Sequence, residues 1–387
     1  MSVEEASPST RNTAVVYGLS SEGYHIASNL AVKGYRVSVV DEVLGTTMEL
    51  LPEIAADYVD LKALLSEEPL VRIRSQKEAL STAKVVFFAP KVRRHEEDIL
   101  VEIRTRIADL SKSLSEGTLV VFCLPLGLGG ANDILERLER GSGLLRGKGL
   151  SFAYSPIDSG KPHIFGSNDD LSNFNSSLEA AGFSLEIFKL QKAELIHAQR
   201  VISRQTTLAS QLESSRRLTL MDFESPREYR QTYVEDINSS IFDLKVVMDS
   251  LESGDPFLYL GSGSMRSVES YPRFLVDRIR EMVRHKDLKA SRLRITLLTD
   301  TDYFEIRGDK LNMATDLVNR LKDFFSDIEY LNVMNEGFTL PTSVDRNNLF
   351  VFLSGSAEQK ITQVYEDQLS MTKPFMIRAN LPVEFVN

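Results

Sequence analysis

The segment AVVYGLSSEGYHIASNLAVKGYRVSVVDE, from Ala14 to Glu42, constrains the fold more than any other part of the chain. Ala14, Val15, Val16 and Tyr17 form an apolar, β-prone run of the kind buried on both faces of a parallel sheet. Glycines follow at once, then a stretch with helical apolar spacing, then Val37, Ser38, Val39 and Val40 as a second strand ending at Asp41. The turn between strand and helix reads Gly18-Leu19-Ser20-Ser21-Glu22-Gly23. Backbone N–H groups at a helix start attract phosphate, and side chains block its approach, which is why glycines are wanted there. Here the pattern is GxSxxG. Ser20 puts a small hydroxyl where hydrogen is usual, leaving phosphates some room and a group to bond, whereas Glu22 is less welcome.

This order of parts predicts a Rossmann-type dinucleotide site built on Gly18, Ser20, Ser21, Glu22 and Gly23. Asp41 is placed to accept hydrogen bonds from an adenine ribose, which favours NAD over NADP because a carboxylate repels a 2′-phosphate. The residues alone leave open the same turn with no ligand.

At 387 residues the chain has room for two or three domains with substantial cores. Its formal net charge of -10 gives no electrostatic footprint for nucleic acid. One cysteine excludes an internal disulfide or a thiolate metal site, and the five histidines are scattered without metal-ligand spacing, so no metal is expected. The sequence has neither a signal peptide nor an apolar run of membrane-spanning length, and residues 1–12 read as a polar, disordered start. The expectation is a soluble, cytoplasmic protein without a membrane partner.

Beyond Asp41, strand-like and helical stretches alternate as in a parallel sheet. Lys84 to Ala89 reads as a strand stopped by Pro90, and a charged helix follows from about Glu96 to Leu114. Gly117 to Cys123 is the next strand, Ser151 to Tyr154 another, and His163 to Gly166 and Glu186 to Phe188 close the first domain. Ala89, Pro90 and Cys123, at strand ends, join the cofactor-lining candidates. From Lys192 to about Glu252 turn signals nearly vanish and two long helices are expected. After Gly261-Ser262-Gly263 and a helix near Pro272 to Arg284, a second α/β unit begins: strand Leu293–Leu298, helix Leu311–Phe325 and strand Asn348–Leu353.

This succession resembles the UDP-glucose/GDP-mannose dehydrogenase family over nearly the whole chain. GYHIASNLAVKGYRVSVVD is similar to that family's first helix and second strand, and EGTLVVFCLPLG to its strand and V-P-x-G turn. FAYSPIDSGKPHIFGSNDD resembles its Y-N-P-E segment followed by I-G-G, and QKAELIHAQRV the A-E-L-x-K start of its central helix. YLGSGSMRSVESYPRFL is weakly similar to the glycine-rich loop carrying the nucleophilic cysteine. TLLTDTDYFEIRGDKLNMATDLVNRL resembles the last domain's strand, loop, D-x-R-E-S-P and helix. The resemblance implies a primary alcohol oxidised twice to a carboxylate with NAD, a nucleotide or nucleotide-sugar ligand, and a homodimer packed through the central helices. It also implies substrate contacts at position 263, here Gly263, and at Arg307.

Such a site needs a thiolate to hold the aldehyde, a donor beside the oxyanion and a positioned water. Against that list the sequence departs in several separate segments. Ser267 or Val268 falls where the thiol belongs, His197 replaces the lysine, Val201 the asparagine, and Ile157 the glutamate. Arg307 keeps the arginine of D-x-R-E-S-P, but Asp300 stands at the upstream lysine position, where it would oppose a diphosphate. Cys123 and His197 are the residual catalytic candidates, the first read mainly as a buried small apolar residue and the second as a helix-face histidine. Two function classes result: a dinucleotide-binding, catalytically degenerate relative acting as cofactor-sensing regulator, scaffold or subunit; or an active NAD-dependent oxidoreductase with a rearranged site. The expected layout is α/β, with a Rossmann-like domain over 13–190, a central helical, dimerising region over 191–288, and a C-terminal Rossmann-like, UDP-sugar-binding-like domain over 289–387.

Overall fold

A computed structural model describes residues 13–92, 99–158, 161–162, 164–183, 186–335, 337–341 and 346–386. The expected disordered start, the first residues of the charged helix and His163 lie outside the described residues. The chain divides into two compact units: Met1–Arg200 with Asp249–Leu251 and Phe304–Gly308, and Val201–Met248 with Glu252–Tyr303 and Asp309–Asn387. The fold is α/β with two parallel-rich sheets.

The N-terminal unit is built on a sheet ordered β11-β10-β7-β6-β5-β1-β2-β3-β4. Its centre consists of β1 (Thr13–Tyr17), β2 (Arg36–Asp41), β5 (Val85–Phe88), β6 (Thr118–Phe122) and β7 (Leu150–Tyr154), all parallel. These are the continuous apolar runs, and they are buried on both faces as a parallel sheet requires. At their carboxyl ends Tyr17, Phe88, Phe122 and Tyr154 are register partners in turn. The first three stack at centroid distances of 5.3 and 5.2 Å, making an aromatic row that closes the core beneath the strand ends. The edges are antiparallel or short: β3 (Thr46–Leu50), β4 (Arg72–Arg74), β10 (Phe165–Ser167) and β11 (Ile187–Phe188), with β8 (Ile157–Asp158) and β9 (Lys161–Pro162) as a separate ribbon.

From β1 the chain runs outward to β2 and returns on the other side as β5, so the strand order reverses between β1 and β5. Ligands of open α/β sheets bind in the crevice at such a reversal, outside the carboxyl ends of the strands. Gly18 lies at that point with φ +123, and a Cβ on it would come within 2.4 Å of the Pro90 backbone. Helix α1 (Ser21–Val32) follows, with Tyr24, Ile26, Ala27, Leu30 and Ala31 buried.

The C-terminal unit carries a sheet ordered β13-β12-β14-β15-β16, formed by β12 (Leu293–Thr299), β13 (Ile328–Asn332), β14 (Asn347–Phe352), β15 (Phe375–Arg378) and β16 (Glu384–Val386). The first four are mutually parallel and β16 runs against β15. Helices Pro256–His285 and Asp309–Lys322 contribute Val268, Tyr271, Leu275, Leu317 and Leu321 to one core with Ile295, Leu297, Val351 and Ile377. Among the described residues no helix is long and apolar enough to cross a membrane.

Two expectations change. The stretch Gly261–Gly263 was expected to be a loop, but helix Pro256–His285 runs through it without a break and contains Pro272. Gly261 serves close packing there: a Cβ would meet Met248 at 2.9 Å. The second long helix divides at Ser240, whose φ is +73, into Val234–Asn238 and Ile241–Asp249. The helices expected as a separate central region are grouped with the C-terminal sheet, apart from the helix Leu190–Leu220 as far as Arg200 and the short stretch Asp249–Leu251.

Candidate functional site

The crevice between β1 and β5 brings together Gly18, Ser20, Gly23, Ala89 and Pro90. Gly23 packs α1 onto β1, since a Cβ would lie 2.8 Å from the Ser20 Oγ and 3.2 Å from Val16. Gly18 allows the two strand ends to touch. The two glycines with packing roles are thus kept, and the one that would let phosphate approach is replaced. Ser20 is fully buried rather than facing a ligand. Its hydroxyl donates to the Ala89 carbonyl at 2.7 Å and accepts from Gly23 N–H at 3.0 Å, so it caps α1 and ties the turn to β5.

Several other groups of the crevice are engaged by the chain itself. Ser21 N–H, at the start of α1, donates to the Phe304 carbonyl at 2.8 Å. The Glu22 carboxylate accepts from Ile306 N–H at 2.8 Å, and Val92 N–H donates to the Ile306 carbonyl at 2.8 Å. The Lys91 ammonium lies 5.4 Å from the centroid of the Phe304 ring. Phe304–Gly308 therefore lies along the mouth of the crevice, within the same compact unit.

Asp41 was expected to face a ribose. Instead its Oδ1 accepts from Val43 and Leu44 N–H at 2.9 and 3.0 Å, because the chain turns straight into an antiparallel hairpin with β3 rather than crossing over by a helix. The next acid, Glu42, takes the inward place. Its side chain is only 1 % exposed and lies 3.6 Å from an Arg106 guanidinium nitrogen. Its two oxygens accept from Leu19 N–H at 2.7 Å and Lys91 N–H at 3.0 Å. As the chain is folded, then, two of the donors a pyrophosphate would use, Ser21 and Leu19 N–H, are already bonded to Phe304 and Glu42.

Further along the sheet, Glu194 is buried and accepts from Gly129 and Ala131 N–H at 3.1 and 2.7 Å, capping the helix Gly130–Ser142. Burial raises its pKa, and those two bonds oppose the rise. Cys123 follows β6 directly, is 1 % exposed, and its Sγ lies 3.6 Å from the Val121 carbonyl. Burial pushes its thiol far above the usual range, which removes the thiolate that nucleophilic chemistry requires. Ile157 N–H donates to the Cys123 carbonyl at 3.1 Å, so the residue in the glutamate's place is part of the core. His197 is also buried, edge-on to Tyr154 with centroids 6.3 Å apart, and Val201 is buried one turn on. Arg307 is buried and bridges to Val92.

In the C-terminal unit Gly263 lies within helix Pro256–His285 with open space around it. On the same helix Val268 is 1 % exposed, and Ser267 donates to Glu213 at 2.7 Å. Asp300 follows β12 and accepts from the Ser356 hydroxyl. Beside it Glu235 is buried against the Thr299 and Thr301 hydroxyls. A cavity of about 800 Å³ in this unit is lined by Arg227, Arg230, Arg378 and Tyr233, but Glu358 holds Arg378 at 2.7 Å and Glu384 holds Arg230 at 3.1 Å. None of the residues singled out from sequence lines it. Among the described residues no cluster of histidine, cysteine and acidic side chains could hold a metal.

Sequence reasoning missed Glu42 and the return of Phe304–Gly308. Two consecutive acids followed by Gly45, whose φ is +66, carried a signal for the first. The second joins residues far apart in sequence and carried none.

With this geometry in hand, the chain has the fold of nucleotide-sugar dehydrogenases. A UDP-D-ManNAc dehydrogenase from Pyrococcus horikoshii superposes with a TM-score of 0.69 at 16% identity, over 96% of this chain and 96% of that one. A UDP-glucose dehydrogenase from Pyrobaculum islandicum gives 0.66 at 14% identity, over 97% and 96%. The UDP-N-acetyl-mannosamine dehydrogenase Cap5O from S. aureus gives 0.55 at 15% identity, over 88% of each chain. Neither a protein-family model nor a curated protein sequence matches the chain.

Proposed function

We propose that this protein is a catalytically degenerate relative of the nucleotide-sugar dehydrogenases that acts by binding, as a cofactor-sensing regulator, scaffold or subunit. The observation that carries this reading is the fate of the thiol. Ser267 and Val268, where it belongs, lie within an unbroken helix, and Cys123 is sealed at a strand end with its pKa pushed up by burial. The Ser267 hydroxyl is bonded to the Glu213 carboxylate, a base far too weak to turn it into an alkoxide, and an aldehyde that is not trapped cannot give up a second hydride. Loss of a single oxyanion donor costs on the order of 10²–10³ in rate, and here the lysine and asparagine positions hold a buried histidine and a buried valine.

The crevice's ligand class in this reading is a dinucleotide, with NAD(H) preferred over NADP(H). The support is now the Glu42 carboxylate at the end of β2, which would repel a 2′-phosphate. Asp300 speaks against a diphosphate in the C-terminal unit, since burial works against its charge yet the Ser356 and Ser354 hydroxyls hold its pKa down.

The test is to incubate the purified protein with NAD and UDP-glucose or UDP-N-acetylmannosamine and follow NADH absorbance. No turnover is expected. Sustained turnover would restore the alternative, an active NAD-dependent oxidoreductase with a rearranged site, and its loss in Cys123→Ser would place the nucleophile there.

A further inference from the structure

At the mouth of the β1–β5 crevice a segment distant in sequence supplies groups a ligand would otherwise supply. Phosphate oxygens bind at a helix start by accepting from its first N–H groups. At α1 that acceptor is the Phe304 carbonyl, 2.8 Å from Ser21 N. A ribose or phosphate oxygen near the turn would accept from Leu19 N–H, and the acceptor there is Glu42, 2.7 Å away. The segment is anchored twice more, by Ile306 N–H on Glu22 and by Val92 N–H on the Ile306 carbonyl, each at 2.8 Å. Ile306 is fully buried and Arg307 nearly so, which makes this a packed strap rather than a passing loop. Glu22, out of place against a phosphate, has a role here: its carboxylate holds the strap.

We propose that Phe304–Gly308, together with Glu42, is a built-in occupant of the dinucleotide crevice, and that NAD(H) binds only when this strap leaves. The inference rests on the dinucleotide reading given above and adds the regulation of that site. The strap and a dinucleotide compete for Ser21 N–H at the helix start, so the apparent affinity of the chain is its intrinsic affinity multiplied by the fraction of molecules with the strap released. A crevice of this kind reports the cofactor by an order change in a short segment, with no chemistry on the cofactor.

The experiment pairs calorimetric NADH titration of the full chain with hydrogen exchange of the same protein. Phe304→Ala combined with Ile306→Ala weakens the strap's packing and leaves Ser21, Leu19, Lys91 and both acids unchanged. The double variant is expected to bind NADH at least about tenfold more tightly than the wild type, in proportion to the released fraction. In the wild type, millimolar NADH is expected to speed exchange at Ile306, whose N–H leaves Glu22, while Ser21 stays protected by its new acceptor. Equal affinity of the two proteins with unchanged exchange at Ile306 would overturn the strap proposal and leave the dinucleotide reading standing. No heat with either protein and no change in exchange would overturn both. Where the double variant does not fold, exchange in the wild type decides alone.

Discussion

Glu235 shows how a single residue sets a pH dependence. It is 3 % exposed, and burial raises its pKa to about 7, opposed by the Thr299 hydroxyl and reinforced by the neighbouring Asp300 charge. Between the ordinary carboxylate value and about 7, the folded protein holds a proton there that the unfolded chain has lost. Stability from this group is therefore full at low pH and falls as pH rises through that window, by about 3 kcal/mol at most. Asp300, with its pKa held down, works in the opposite direction at lower pH. Denaturant unfolding at about pH 5 and about pH 8 should show the wild type losing roughly 1–3 kcal/mol, and Glu235→Gln losing clearly less. An identical pH slope in both proteins would rule out Glu235 as the cause. At this same scale the candidate site was half legible. GxSxxG marked the turn, and Gly18 and Gly23 are where packing demands them. The side of the turn that Ser20 faces depends on which backbone groups lie nearby, which residue identity does not encode, whereas the choice of Glu42 over Asp41 follows from the hairpin that β2 enters, for which Gly45 was the signal.

Among the elements, those buried on both faces were legible because their apolar runs have no other stable home: β1, β2, β5, β6, β7, β12 and β14 fall where the sequence places them. Helix Pro256–His285 was not. Gly261, Ser262, Gly263 and Ser264 have the composition of a loop, and the overriding signal was the Asp255–Pro256 start, where the Asp255 carboxylate caps Phe257 N–H at 2.8 Å. Tertiary packing decided the matter, since the Val268, Tyr271, Leu275 and Ile279 side chains are buried in the core at helical spacing. The consequence is that restoring the missing thiol in sequence does not restore a nucleophile. Val268→Cys is expected to fold at a cost of about 1 kcal/mol, to resist alkylation until unfolded, and to produce no NADH from NAD and UDP-glucose. Rapid labelling of the native variant together with NADH formation would show that this helix opens into a catalytic loop.

At the scale of the whole molecule, the two-sheet α/β architecture was readable because the order of strands and helices repeats one physical pattern twice. The grouping of Phe304–Gly308 with the N-terminal unit was not, since contacts between distant segments leave no periodicity. Association belongs to this scale too. We propose that the homodimer through the central helices, implied by the family resemblance, forms at apolar side chains left in water. Leu220, Met221 and Phe223, at the end of helix Leu190–Leu220, are 84, 64 and 64 % exposed, and Tyr259 and Leu260 near the start of helix Pro256–His285 are 69 and 47 % exposed. Single exposed apolar residues are ordinary, but contiguous ones mark interaction surfaces, and three fall within four positions at this helix end. A two-fold axis would bring the patch of one copy against the same surface of the other, and a stable contact of that kind buries about 1,200–2,000 Å². Light scattering at micromolar concentration should give twice the chain mass for the wild type and the single mass for Leu220→Asp combined with Phe223→Asp. Because those positions are in water in the isolated chain, the double variant should unfold at nearly the monomer's own denaturant midpoint, so lost association is separable from lost folding. A wild type already at the single chain mass would remove the dimer, and a variant that stays dimeric would move the interface away from this helix end.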